Sequence, residues 1–159
     1  MNNCIDRIIL RDDMTLLTVS GFPANTSDMA QFFAEISSKK VNLDMISQTA
    51  PYGGVISISI TFSDEQLPEI LTVISSLKGL YPNIRTDISS ANRKLLFYGE
   101  AMRDTPGVTA YIFSVLNKIG CEIKMITTSD IEVSLLTESH SGDDMIKRLE
   151  DITGISVTK

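Results

Sequence analysis

His140 is the sole histidine of the chain and sits in Glu138-Ser-His-Ser-Gly142. That turn composition reads as a solvated loop residue rather than a general base. The only cysteines are Cys4 and Cys121. Cys121 opens an apolar-flanked strand, where a thiol acts as a small buried hydrophobe, and Cys4 lies in a terminus expected to fray. Neither thiol has an obvious base, so no triad is assembled and no catalytic residue is assigned. Two widely spaced cysteines and one histidine make no zinc pattern, and no metal is expected. Gly53-Gly54 lacks Gly-x-Gly-x-x-Gly or Walker spacing and reads as a hairpin turn.

What remains is recognition of a small dipolar molecule. In Met102-Arg-Asp-Thr-Pro-Gly-Val-Thr-Ala110, proline and glycine open a helix and leave backbone N–H groups uncommitted at the positive end of its dipole, a position suited to a carboxylate. The plainer reading is that Pro106-Gly107 only starts the helix tightly. Asp44, flanked by Leu43 and Met45, would be costly to bury alone, so it faces water or meets a cation such as an amino group. Its plainer reading is an exposed edge-strand residue that discourages aggregation. At the corresponding later position stands Lys124, which would repel an ammonium, so the two places are not equivalent.

Those positions correspond because the sequence repeats. Val41-Asn-Leu-Asp-Met-Ile-Ser47 recurs as Cys121-Glu-Ile-Lys-Met-Ile-Thr127, and Leu16 to Gly21 matches Leu95 to Gly99 in type. Met29, Phe32, Phe33 and Ile36 fall on one helical face, as do Ile112, Val115, Leu116 and Ile119. Ile56, Ile58, Ile60 and Phe62 alternate with polar residues as a half-buried strand does, and Ile131, Val133 and Leu135 repeat this more briefly. Ser63 and Gln66 form a capping-box pattern before Leu67, Ile70, Leu71, Ile74 and Leu77, with Ser141, Met145, Ile146 and Leu149 as a shorter counterpart. Ile84 to Ile88 closes the first copy, and Ser89-Ser-Ala-Asn92 reads as the join.

Each copy is thus β-α-β-β-α-β, and the fold class is α+β: two ferredoxin-like repeats in tandem, with antiparallel sheets and helices on one face. Residues 14–90 make the first domain and 91–159 the second. Residues 1–13 hold a leading strand, Ile5 to Leu10, outside the repeat. The second copy's closing strand is either that segment or Ile155 to Thr158.

Composition bounds the function. The 159 residues are 43% hydrophobic and 21% charged, too apolar for disorder. At this length roughly 70% of the unfolded surface can be buried, so neither disulfide nor metal staples are needed. Two isolated cysteines argue for a reducing compartment, and the expected location is the cytoplasm. No apolar run reaches the ~20 residues of a membrane span, and no membrane partner is expected. The net charge of −6 is shared by both halves, which argues against nucleic acid. Strands carrying serine, aliphatics and methionine lack the rings that stack RNA bases.

These residues resemble the tandem ACT domains that form the regulatory portion of aspartate kinase, in the monofunctional, lysine-sensitive or lysine-plus-threonine-sensitive bacterial type. The most specific stretch is Met102 to Thr128, with Pro-Gly-Val-Thr-Ala110, Ile112-Phe113 and Met125-Ile-Thr-Thr-Ser-Asp-Ile131 in the family's order; Asn42-Leu-Asp-Met-Ile-Ser-Gln48 follows more weakly. The kinase domain, with its Lys-Phe-Gly-Gly opening, is not in this sequence. By this resemblance the chain alone is not an enzyme and holds no cofactor, ATP and magnesium belonging to the kinase part. It is either a piece of a longer enzyme or a separate regulatory subunit.

The resemblance implies that an effector amino acid, lysine with threonine as second candidate, binds where ACT domains meet across a homodimer and controls the kinase domain or catalytic subunit. Carried over, Asp44 takes the effector's ammonium and Gln48 its polar end, with Asn42 and Met45 flanking. Asn25, Thr26, Ser27, Asp28 and Met29 form the first-copy loop. Val108, Thr109 and Ala110 at the second helix start, with Glu122 and Ile123 on the strand, complete the pocket. Two departures stand out: Ser27-Asp28 replaces the Pro-Gly of many relatives, so that Asp28 competes with an effector carboxylate, and Glu122 replaces asparagine, which favours lysine's side-chain amine. The rival reading is a stand-alone ACT-pair sensor acting on a transcriptional or metabolic partner.

Overall fold

The computed structural model describes residues 4–138 and 143–159, and His140 and Ser141 of the sequence reading lie outside them. The chain divides into two compact units, residues 13–90 and residues 1–12 with 91–159.

In unit 13–90, strand β1 (Arg7–Pro23) pairs antiparallel with β3 (Val55–Ser63), from Met14 opposite Ser63 to Pro23 opposite Val55, with a bulge at Gly21. β2 (Ile46–Gln48) adds to the outer side of β3 and forms the edge, while β4 (Arg85–Tyr98) flanks β1, giving the order β2-β3-β1-β4. The β3 alternation points Ile56, Ile58, Ile60 and Phe62 inward, onto Phe32 and Ile36 of helix α1 (Thr26–Ser38) and Ile70, Val73, Ile74 and Leu77 of α2 (Leu67–Leu80). Leu71, which the sequence places on the α2 core face, is 49% exposed, and Val73 takes its place at the i+3 spacing from Ile70. Gly53 and Gly54 both take positive φ (59° and 80°), the left-handed pair that a two-residue hairpin between Tyr52 and Val55 requires.

The capping box before α2 does not form. Ser63 makes no side-chain cap hydrogen bond; a short 3-10 turn, Asp64–Gln66, intervenes. Asp64 accepts from Thr15 Oγ1 at 2.5 Å, and Gln66 Nε2 donates to the carbonyl of Lys40 at 3.4 Å. The fold gives Gln66 a tertiary partner in place of the local one.

In the other unit, residues 91–98 of β4 pair antiparallel with β6 (Glu132–Glu138), and β5 (Ile123–Thr128) lies outside β6. On the opposite side of β4 lies the leading part of β1, and β7 (Val157–Thr158) pairs parallel beyond it, Ile8 opposite Val157. Both candidate closing segments therefore enter the sheet. Helices α3 (Val108–Ile119) and α4 (Asp143–Thr153) bury Ile112, Val115, Leu116, Ile119, Met145 and Leu149 against Ile8, Leu10, Leu95, Phe97, Val133 and Leu135.

The boundary between the units falls between Ser90 and Ala91, inside the predicted join Ser89-Ser-Ala-Asn92, which lies within β4. Asp13 (φ 57°) and Ala91 (φ 55°), at the unit boundaries, take left-handed φ. One sequence expectation changes here. Cys4 does not fray; it is 4% exposed and belongs to the core of its unit.

Candidate functional site

The start of α1 is closed by its own side chains. Asn25 is the N-cap and its Oδ1 accepts the backbone N–H of Asp28 at 2.9 Å; its Nδ2 donates back to Asp28 Oδ2 at 2.5 Å. The first bond caps the Asp28 amide; the second joins the two side chains. From the end of α2, the Tyr81 hydroxyl donates to Asp28 Oδ1 at 2.7 Å. The hydrogen bonds from Asn25 and then Tyr81 hold the Asp28 carboxyl below its ordinary range, and the same bond to Asp28 raises the Tyr81 phenol. Thr26 and Ser27 are exposed, and Met29 packs against the core of its unit.

Asn42, Asp44 and Met45 lie on the approach to the edge strand β2, and Gln48 is its last residue. Asp44 is exposed and precedes β2; the sequence reading placed it within a strand between apolar neighbours. Its backbone N–H donates to the carbonyl of Thr61 at 2.9 Å. Met45 is buried, its N–H bonded to Thr61 Oγ1 at 2.9 Å, and the Thr61 N–H returns to the Met45 carbonyl at 3.0 Å. Buried Thr61 thus fixes the backbone on both sides of the Asp44 side chain. Asn42 and Gln48 are exposed.

In the other unit α3 opens differently. Gly107 is its N-cap at φ 89°, there is no side-chain cap hydrogen bond, and the first turn holds no acid. The left-handed φ is one that glycine adopts at no steric cost. Val108 is buried and anchors the helix, while Thr109 and Ala110 are exposed above it. The loop before it is a 3-10 segment, Glu100–Asp104, closed by Thr105 Oγ1 donating to the Ala101 carbonyl at 2.6 Å. Glu122 is exposed just before β5, and Ile123 is half-buried against the core of its unit. Lys124, which answers to Asp44 in the repeat, is committed within its unit: Nζ donates to Asn92 Oδ1 at 2.9 Å and pairs with Glu138 Oε1 at 3.1 Å.

The predicted residues therefore fall into distinct groups. The α1 start is tied to Tyr81, the Asp44 stretch is tied to Thr61, and α3 presents an uncapped start. Sequence reasoning missed Tyr81 and Thr61. Tyr81 lies 53 residues from Asp28, and no spacing rule couples them. A cleft of about 280 Å³ lined by Gly21, Pro23, Val55, Leu80 and Tyr81 includes none of the predicted residues. Among the described residues no cluster of three or more histidine, cysteine or acidic side chains could hold a metal ion. The Cys121 thiol is pushed up by burial, which keeps it protonated and unreactive at neutral pH. No helix among the described residues is long and apolar enough to cross a membrane.

Comparison with known proteins places this arrangement. Residues 96–151 match the ACT domain family. An aspartokinase of Bacillus sp. (strain MGA3) is 30% identical over 151 residues, covering 94% of this chain and 36% of the relative. The chain spans about a third of the length of the curated relatives it matches. Aspartate kinase from Synechocystis has the same fold, with a TM-score of 0.90 at 23% identity over 99% of this chain and 28% of that one. The ligand-free regulatory subunit of aspartate kinase from Thermus thermophilus gives 0.82 at 19% identity, covering 93% and 97%. The second unit carries the ACT domain match, and along nearly its whole length the chain is similar to one part of aspartokinases and shares the fold of the regulatory subunit of aspartate kinase.

Proposed function

We propose that this chain is the feedback-sensing part of an aspartokinase. It binds an effector amino acid where ACT domains of two chains meet, and so controls ATP-dependent phosphorylation of L-aspartate by a kinase domain or catalytic subunit. ATP and magnesium belong to that kinase part, and the assembly is a cytoplasmic homodimer through ACT domains. The effector works by binding one dimer state more tightly than another, with no chemical step of its own.

The observation that carries this reading is the contrast at the α3 start: helix amides with no side-chain cap and no first-turn acid, suited to a carboxylate. Asp44, exposed beside an edge strand with its backbone fixed by Thr61, supplies the complementary charge for an ammonium. Gln48, Asn42 and Met45 flank it. Val108, Thr109 and Ala110 receive the carboxylate, with Glu122 and Ile123 beside them and the loop from Asn25 to Met29 bordering the first-unit side.

Lysine is the preferred effector, because exposed Glu122 offers a second carboxylate for a side-chain amine. Aspartokinase III of E. coli, which shares the fold at 19% identity and a TM-score of 0.70, has been solved in complex with lysine and aspartate. Threonine is the second candidate. Calorimetric titration with lysine tests the assignment: wild type gives saturable heat and Asp44→Ala loses it. Equal heats from both, or no heat from wild type, would reject it.

A further inference from the structure

We infer that Asp6, Arg7, Tyr98 and Glu100 form a clasp that makes the leading segment and the 3-10 turn Glu100–Asp104 open and close together. The clasp deepens the effector reading above and rests on it only for what sets the state of the turn.

The two segments, 94 residues apart between Asp6 and Glu100, meet at the end of β4. Asp6 is bonded twice across the junction: its N–H donates to the Tyr98 carbonyl at 2.8 Å, and its Oδ2 accepts the Glu100 N–H at 3.1 Å. The Tyr98 hydroxyl donates to Glu100 Oε1, and the Arg7 guanidinium lies over the same ring, 4.6 Å from its centroid. Each contact positions the groups of the next. The first Asp6 bond sets its carboxylate against the Glu100 N–H, while the Tyr98 hydroxyl holds the Glu100 side chain. Glu100 opens the 3-10 turn, which leads through residues 105–107 into α3. Asp6 adjoins β1, whose residues 7–12 belong to this unit and 13–23 to the other. A change in the turn is therefore passed to a strand that both units share. The first repeat is built otherwise: Gly21, its counterpart of Gly99, is followed by Phe22 and Pro23 of β1 and then by Asn25 capping α1, without a 3-10 turn.

Native-state amide exchange of the full chain tests the clasp. Tyr98→Phe removes only the hydroxyl and keeps the ring beneath Arg7. Protection of the Asp6 and Glu100 amides should fall together by about fivefold, the net contribution of one ordinary hydrogen bond, while the Val133 and Leu135 amides of β6 keep theirs. Added lysine should raise the protection of both amides together in wild type. A loss at Glu100 without one at Asp6, no loss at either, or an equal loss in β6 would overturn the inference. Lysine that protects the turn and leaves Asp6 unmoved would overturn it too. If lysine does not bind, the effector reading fails, and the lysine-free comparison still decides the clasp.

Discussion

Gly99 lies against the backbone of Cys4: a Cβ on Gly99 would stand 1.9 Å from the Cys4 carbonyl oxygen. Because Cys4 and Ile5 are core residues of their unit, that contact fastens the leading segment beside the end of β4. The neighbouring bond from the Asp6 N–H to the Tyr98 carbonyl, at 2.8 Å, holds the same junction. Gly99→Ala should therefore cost about 3 kcal/mol, the overpacking penalty where backbone must move. Urea unfolding measures it; a loss below about 0.5 kcal/mol would show that the segment shifts freely.

The Asp28 and Tyr81 pair predicts opposite pH effects. Asp28 titrates below its ordinary 3.8 in the folded state, so its stabilisation is complete above that value and is lost as pH falls through the lowered folded value. Tyr81 titrates above its ordinary 10.0, so its contribution is complete below that value and is lost as pH rises through the raised one. Ultraviolet titration of the phenols should show one midpoint that returns toward 10.0 in Asp28→Ala. An unchanged set of midpoints would contradict the bond.

Lys124→Ala should destabilise its unit by about 1 kcal/mol, because it removes a hydrogen bond to Asn92, which is 1% exposed, along with a half-exposed ion pair to Glu138. The ion-pair share should fade in high salt and the hydrogen-bond share should not. Thermal unfolding at two salt concentrations separates them.

Ala91→Gly should stabilise the chain by about 0.5 kcal/mol. A non-glycine residue at φ 55° costs about 1 kcal/mol, and relief of that cost exceeds the extra backbone entropy of glycine. Denaturant midpoints check the sign.

Periodicity made much of the fold legible. The alternation of Ile56 to Phe62 gives β3, the spacing of Ile112 to Ile119 gives the buried face of α3, and Gly53-Gly54 gives the hairpin. The unbroken passage of β1 and β4 was not legible, since Asp13 and Ala91 take left-handed φ without being glycine. The α2 capping box misled because a 3-10 turn separates Ser63 from α2 and Gln66 reaches the carbonyl of Lys40, distant in sequence. At the candidate site, residue type drew attention to Asp28 and Lys124. Their engagement by Tyr81 and by Asn92 with Glu138 depends on tertiary contacts that no local pattern encodes.

The location of the effector is tested most directly by following backbone amide resonances of the uniformly labelled full chain as lysine is added. The account predicts saturable shifts at Asp44, Gln48 and the amides of Val108, Thr109 and Ala110, with the Asn25 to Asp28 amides shifting less. Shifts confined to the cleft beside Leu80 and Tyr81, or none at Asp44 and α3, would contradict it.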